Sequence, residues 1–330
     1  MNKKHAKSPC CGVKVVRFGQ RRRQCFQCHK TWRVRRKKRG RKKLRTNSQL
    51  VLHYFNHSIP SLCGWSKRTG KTVRVLERRL RASRDFFLKQ IAWPELPTQG
   101  ELICLGDGLV FQIRKQWYTG YLILVREAAK NEAVIYPPLI FRGTETSTGW
   151  EKALDLIPSQ IKQRIRALVC DGHRGLVYYA MRRRWLIQRC HFHLLAAIGG
   201  RRSRSRRSRH KAEGDRIYAL VKRVLSENDE SIIPKLLLQI DDEALNTTSP
   251  ELRKYLRGFL NCWEDFRSYL YHPPLNLPTT NNTAESLAGC FTELLHRARG
   301  FSTLASIEKW FAAFTKYKKT IKCRGRNQPN

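Results

Sequence analysis

Between residues 99 and 200, apolar runs and amphipathic segments alternate in an order that few folds accept. ELICLGDGLVFQI (101–113), WYTGYLILVRE (117–127) and EAVIYPPLIFRG (132–143) are three successive strand candidates, each rich in β-branched and aromatic residues. STGWEKALDLIPSQI (147–161) reads as a helix and IRALVCDG (165–172) as a buried strand. HRGLVYYAMRRR (173–184) is a second helix, and WLIQRC (185–190) a last strand. Three consecutive strands followed by strand–helix–strand predict a mixed sheet with helices on its faces, an α/β fold.

Composition separates this core from its flanks and sets five segments. Residues 1–45 form a Cys-rich segment that ends in the basic run RVRRKKRGRKKLR. Residues 46–98 are helical, 99–200 carry the sheet, 201–275 form a basic helical insertion that opens with RRSRSRRSRHK, and 276–330 complete the core. The 66 Lys and Arg against 25 Asp and Glu give a formal charge of +41. Such a chain repels itself unless it lies against a polyanion, and nucleic acid is the expected partner because each neutralised phosphate releases condensed counterions. No apolar run approaches the roughly 20 residues of a membrane-spanning helix. The first residues carry no apolar signal-peptide core, so the expected location is cytoplasmic. The eleven cysteines are not spaced as a disulfide framework, and a reducing compartment is expected.

Four of the cysteines precede residue 30. Cys25-x-x-Cys28, with Cys11-Gly12 fourteen positions upstream of Cys25, describes the two knuckles of a zinc ribbon. The first knuckle reads Ser8-Pro9-Cys10-Cys11-Gly12, with serine in the place of the usual first ligand. Cys10, His5 and His29 compete for the fourth position; Cys10, Cys11, Cys25 and Cys28 are the expected zinc set. The basic run supplies Arg35, Arg36, Lys37 and Lys38 as phosphate contacts. SIPSLCGWSKRTGKTVRVLERRLRA (58–82) has the form of a helix-turn-helix. A helix runs from about Ser61 to Lys67, Thr69-Gly70-Lys71 turns, and a second helix presents Arg74 and Arg78 to DNA, with Val73, Val75, Leu76 and Leu80 as its apolar stripe. Arg201, Arg202 and Arg204 extend the phosphate contacts in the second basic block.

Three acids are candidates for chemistry. Asp107 is either the Asp-Gly of a hairpin turn or a carboxylate displayed from a central strand. Asp171 closes a buried strand, at the end where open α/β sheets present ligands. Glu285 is either the N3 residue of a capping box with Asn282 as N-cap, or a metal ligand in the first turn of a helix. Together they form a carboxylate set suited to Mg²⁺ or Mn²⁺. A rival arrangement is a zinc site built from Cys170-x-x-His173 and Cys190-x-x-His193. Strand alternation opposes it, because Cys170 faces away from the side that Asp171 faces.

With CDGHRGL (170–176), QRCHFH (188–193) and the late TNNTAES (280–286), the chain resembles the DDE transposases of the Mutator-like type and related bacterial insertion-sequence enzymes, over residues 99 to about 320. The resemblance implies a ribonuclease-H-like core, interrupted by a helical insertion between the second Asp and the Glu. It implies Asp107, Asp171 and Glu285 as the metal-binding triad, and matches Cys190 and His193 to the family's Cys-x-x-His pair, with His193 beside the reacting phosphate. Glu293 and Glu308 are rivals for the third acid. The expected activity is strand cleavage and strand transfer at terminal inverted repeats, by a homo-oligomer that joins two ends. The alternative is a non-catalytic, sequence-specific regulator derived from such an enzyme.

Overall fold

The computed structural model describes residues 7–18, 22–33, 47–59, 61–200, 211–297 and 303–323. The chain divides into two units, residues 1–46 and 47–330. The basic residues Arg35, Arg36, Lys37, Lys38, Arg201, Arg202 and Arg204, and His5, lie outside the described residues.

In the first unit β1 (Val15–Arg17), β2 (Arg22–Cys25) and β3 (Thr31–Arg33) form an antiparallel meander. The turns flanking the β1–β2 pair carry the cysteines.

The second unit opens with α1 (Gln49–Phe55), α2 (Leu62–Thr69) and α3 (Val73–Gln90). The Ser61 hydroxyl caps α2 by accepting from the Gly64 amide, and Gly70 ends it at φ 61°, the left-handed conformation glycine adopts freely. The turn and second helix stand where the sequence places them. Two expectations change. Val73 is exposed, and the buried side of α3 is Leu76, Leu80, Ser83, Arg84 and Phe87, because only these positions face a neighbour. The helices do not form a separate 46–98 domain either. α1 and α3 pack on the last helix of the core, with the buried Arg84 guanidinium 5.1 Å from the Trp310 ring centroid.

The sheet begins with β4 (Leu102–Ile113) and β5 (Gln116–Glu127), antiparallel along their full length. The hairpin turns at Arg114-Lys115, both at positive φ, and not at Asp107-Gly108. The third candidate strand is two strands: β6 (Glu132–Ile135) and β7 (Leu139–Arg142), both paired with β5. Pro137-Pro138 divide them, because proline has no N–H for a ladder. Likewise the first predicted helix splits at Pro158 into α4 (Ser147–Asp155) and α5 (Ser159–Lys162). Then follow β8 (Ile165–Cys170), α6 (Arg174–Arg182), β9 (Leu186–Arg189) and α7 (His191–Gly199).

The insertion contributes α8 (Lys211–Ser226), α9 (Ile233–Asn246), α10 (Pro250–Leu260) and α11 (Trp263–Tyr271). With α7 these helices bury their own core around Ile217, Val221, Leu236, Leu252 and Phe259. The chain returns through α12 (Asn282–Arg297) and α13 (Leu304–Lys318) to β10 (Thr320–Lys322), which pairs with β6.

The sheet order is β10-β6-β5-β4-β8-β9, with β8 parallel to both β4 and β9 and the pairs on the other side of β4 antiparallel. Side-chain alternation gives it two buried faces. Ile103, Leu105, Leu122, Leu124, Ala167 and Val169 belong to a core shared with α12 and α13. Leu102, Cys104, Ile123, Val125, Leu168 and Cys170 belong to a second core shared with α4 and α6. The free edge of β9 is closed by α11. Gln188, fully buried, donates to the Phe266 carbonyl at 3.0 Å and accepts from the Tyr269 amide at 2.9 Å, and Ser268 Oγ donates to the Ile187 carbonyl at 2.7 Å. One glutamine thus fastens the insertion to the sheet edge.

Candidate functional site

The last paired positions of the parallel strands β4 and β8 are Leu105 and Val169. Two residues further along each segment stand Asp107, within β4, and Asp171, directly after β8. The parity that sends Leu105 and Val169 into the α12 side sends both carboxylates the same way. Asp107 Oδ1 accepts from the Gly108 amide at 3.0 Å and Asp171 Oδ1 from the His173 amide at 2.8 Å, which sets their orientation.

α12 is anchored beside Asp107. Asn281 is fully buried; its Nδ2 donates to the Gly106 carbonyl at 2.9 Å, and its amide donates to Cys190 Sγ at 3.2 Å. Its own carbonyl accepts from the amides of Ala284 and Glu285. Asn281, not Asn282, is therefore the residue before the helix whose carbonyl takes its first bonds, and Glu285 is the fourth residue of α12. The expected capping box from Asn282 to Glu285 does not form, since the residue three after Asn281 is Ala284, and the Glu285 carboxylate is not spent on a cap.

Asp107 is held at about 7, well above the usual aspartate value, first by burial and then by the charges of Asp171 and Glu285, with Glu145 adding to them. Glu145 was not foreseen. It lies between β7 and α4, where Trp150 Nε1 donates to its Oε1 at 2.5 Å, and burial raises its carboxyl. A Cβ on Gly108 would lie 2.6 Å from Glu145 Oε2. The glycine after Asp107 is therefore the space this fourth acid occupies. The sequence signal was the Gly itself, in mid-strand, where it marks a close approach rather than a turn.

The rivals for the third acid are elsewhere. Glu293 is exposed and pairs with His57 at 3.3 Å, and Glu308 is exposed on α13.

Among the described residues, two groups of three or more Cys, His, Asp or Glu bring ligand atoms within 4.8 Å of one another: Cys10, Cys11, Cys25 and Cys28, and Cys190, His193 and Glu285. Asp107 and Asp171 are in neither. Glu285 thus stands between two sets, sensed by Asp107 on one side and in contact with Cys190 and His193 on the other. Cys190 is fully buried and burial raises its thiol. His193 does not cap a helix: its Nδ1 is 3.4 Å from Glu285 Oε1.

His173 does act as a cap, its Nδ1 accepting from the Gly175 amide at 3.1 Å. The rival zinc site from two Cys-x-x-His pairs does not form among the described residues. Cys170 is buried in the α4–α6 core, as strand alternation requires, with its thiol pushed up to about 12 by burial.

In the first unit the four-thiol group can hold a zinc ion. Cys28 Sγ and Cys10 Sγ are 3.3 Å apart, so Cys10 supplies the position left open by the serine. Ser8 is buried and builds the knuckle instead: its Oγ accepts from the amides of Cys11 and Val13, and Cys25 Sγ lies 3.4 Å from it. The Cys28 amide and the Ser8 hydroxyl hold the Cys25 thiol down at about 6, while the neighbouring Cys28 sulfur pushes Cys11 up to about 12. A site with one thiolate ready is prepared for a cation.

Arg74 and Arg78 are exposed on α3. Among the described residues, no helix is long and apolar enough to cross a membrane. No protein-family model matches the chain, and no curated protein matches it.

Proposed function

We propose that the chain is a DNA transposase of the DDE type, acting through Asp107, Asp171 and Glu285 on a ribonuclease-H-like core. The observation that carries this reading is the placing of two aspartates just past the end of the parallel pairing of β4 and β8, Asp107 within β4 and Asp171 directly after β8, with the charge of Glu285 on α12 felt at Asp107. The strand order supports the core assignment: an antiparallel meander from the Asp107 strand on one side, and parallel strands reached through α6 on the other. The helical layer between β9 and α12 fits the insertion of that family.

The donors fit Mg²⁺ or Mn²⁺, which favour carboxylate oxygens, and a cation would relieve both causes of the elevated Asp107 value, its burial and the acids around it. When bound, such an ion supplies charge to activate the attacking oxygen and stabilise the leaving one. The residues of the chain do the rest. The Gly108 and His173 amides fix the two aspartates. Asn281 fixes the start of the Glu285 helix against β4. The exposed Arg74 and Arg78 hold DNA, and the first unit carries a structural zinc. Water would cut the strand at an element end, and the freed 3′-hydroxyl would attack a target phosphodiester. Two ends must be held together, so a homo-oligomer on DNA is part of the proposal.

The test is strand cleavage and joining on labelled DNA from the ends flanking the gene, with Mg²⁺ or Mn²⁺. Wild type joins ends, while Asp107→Asn, Asp171→Asn and Glu285→Gln bind DNA but do no chemistry. Binding by wild type without cleavage in either metal replaces the proposal with the regulator reading.

A further inference from the structure

We infer that Cys190, His193 and Glu285 form a second zinc site, separate from the four-cysteine group and sharing one carboxylate with the proposed catalytic acids. The three ligand atoms lie within 4.8 Å of one another. Glu285 Oε1 is 3.4 Å from His193 Nδ1 and 3.9 Å from Cys190 Sγ. A tetrahedral zinc ion with bonds of about 2.0 Å to nitrogen and oxygen and about 2.3 Å to sulfur places those pairs at about 3.3 and 3.5 Å. The nitrogen and oxygen already stand at that separation, and the sulfur is a few tenths of an ångström beyond it.

Three features argue for a ligand set rather than a chance meeting. His193 Nδ1 is buried and makes no hydrogen bond, a state that costs free energy unless something fills it. Cys190 is fully buried, and its sulfur is oriented toward the group by the Asn281 amide, which donates to it at 3.2 Å. The donors are sulfur, nitrogen and oxygen in one group, which select zinc over magnesium. Two elements build it: Cys190 caps α7 and His193 lies in its first turn, and Glu285 lies in the first turn of α12. Three protein ligands leave the fourth position open, as in zinc sites that bind water or a substrate oxygen; a phosphate oxygen has the chemistry to take it.

The zinc site stands without the transposase reading. Its consequence rests on that reading: zinc and the catalytic ion draw on the same Glu285 carboxylate.

Zinc per chain is measured on the full-length protein, dialysed after loading with Zn²⁺, for wild type, Cys190→Ser, His193→Gln and Cys25→Ser/Cys28→Ser. Circular dichroism verifies that each variant is folded. Wild type is expected to hold two ions and each variant one. With Co²⁺ in place of zinc, the Cys25→Ser/Cys28→Ser protein keeps a thiolate-to-cobalt absorption band that adding Cys190→Ser removes. Zinc content unchanged by Cys190→Ser and His193→Gln, or no ion in the Cys25→Ser/Cys28→Ser protein, overturns the site. If the ion counts come out as expected but wild type never cuts DNA, the transposase reading falls and the zinc site stands.

Discussion

Replacing Asp107 with Asn is expected to stabilise the metal-free protein at pH 8, and the size of the gain follows from the burial of its carboxyl and the acids around it. Asp107 moves from 3.8 to about 7 on folding, chiefly through burial and then through Asp171 and Glu285. Each pK unit is 1.36 kcal/mol, so ionising it in the folded state costs about 4 kcal/mol. Below about pH 4 both states hold the proton and nothing is lost. Between about pH 4 and 7 the folded state keeps a proton that the unfolded state releases, so wild-type stability falls as pH rises; above 7 the loss is complete. Asparagine carries no charge, retains the oxygen that accepts from the Gly108 amide, and escapes the fall. At about 2 °C per kcal/mol for a unit of this size, the variant should melt up to about 8 °C above wild type at pH 8. The two should coincide near pH 4. The assay is thermal melting in a chelator across that range. Saturating Mg²⁺ should reverse the order at pH 8, because only wild type gains the binding free energy. A variant that melts below wild type at pH 8 in the chelator, or a difference that does not change with pH, would refute the carboxylate cluster as described.

Three further outcomes are expected. Gly108→Ala places a methyl group 2.6 Å from Glu145 Oε2 and should cost about 1–3 kcal/mol in urea unfolding, a loss that shrinks in a Glu145→Ala background if the contact is its cause. Arg126→Met removes the buried guanidinium that donates to the carbonyls of Ala128, Lys130 and Asn276; leaving them without a donor should cost about 3 kcal/mol by the same measurement, with Lys a poor substitute. Arg74→Ala and Arg78→Ala should each weaken DNA binding and lower the salt-dependence slope by about one, read from affinities at several salt concentrations; an unchanged slope would remove α3 from the interface.

Much of the core was legible because period and composition agree there. The long strands from Leu102 and Gln116 and the pair β8 and β9 are apolar runs bounded by turns, and nothing tertiary competes with them. Pro137-Pro138 and Pro158 carried the missed breaks in the open, since each removes a backbone donor whatever the surrounding pattern. What could not be read locally depends on approach across the fold. Of the adjacent Asn281 and Asn282, cap statistics cannot choose; the buried bond to the Gly106 carbonyl does. Val73 looks like part of an apolar stripe, but α13 lies on the other side of α3. Glu145 joins the site only because Gly108 has no side chain, and Glu285 meets Cys190 only after an insertion of four helices has folded out of the way.

The placing of the acids weighs more than their number. The chain has 66 Lys and Arg for 25 Asp and Glu, so basic partners are plentiful. Elsewhere in the second unit acids find one readily: Asp265 with Arg189, Glu243 with Arg216, Glu230 with Arg267. Among the described residues, Asp107, Asp171, Glu145 and Glu285 have no Lys or Arg ion pair; Glu145 and Glu285 have only His173 and His193 nearby. A buried charge left without a partner is strongly destabilising, and the arginine at this end of the sheet, Arg189 beside Gly172, is paired with Asp265 instead. The charge is left open toward something outside the chain. A divalent cation fits that need, and a polyanion alone does not: DNA brought against four uncompensated acids is repelled unless a cation stands between them. On the proposed function the basic surface and the acidic sheet end would meet through a metal ion, so the melting experiment with and without Mg²⁺ tests that proposal beside the cleavage assay.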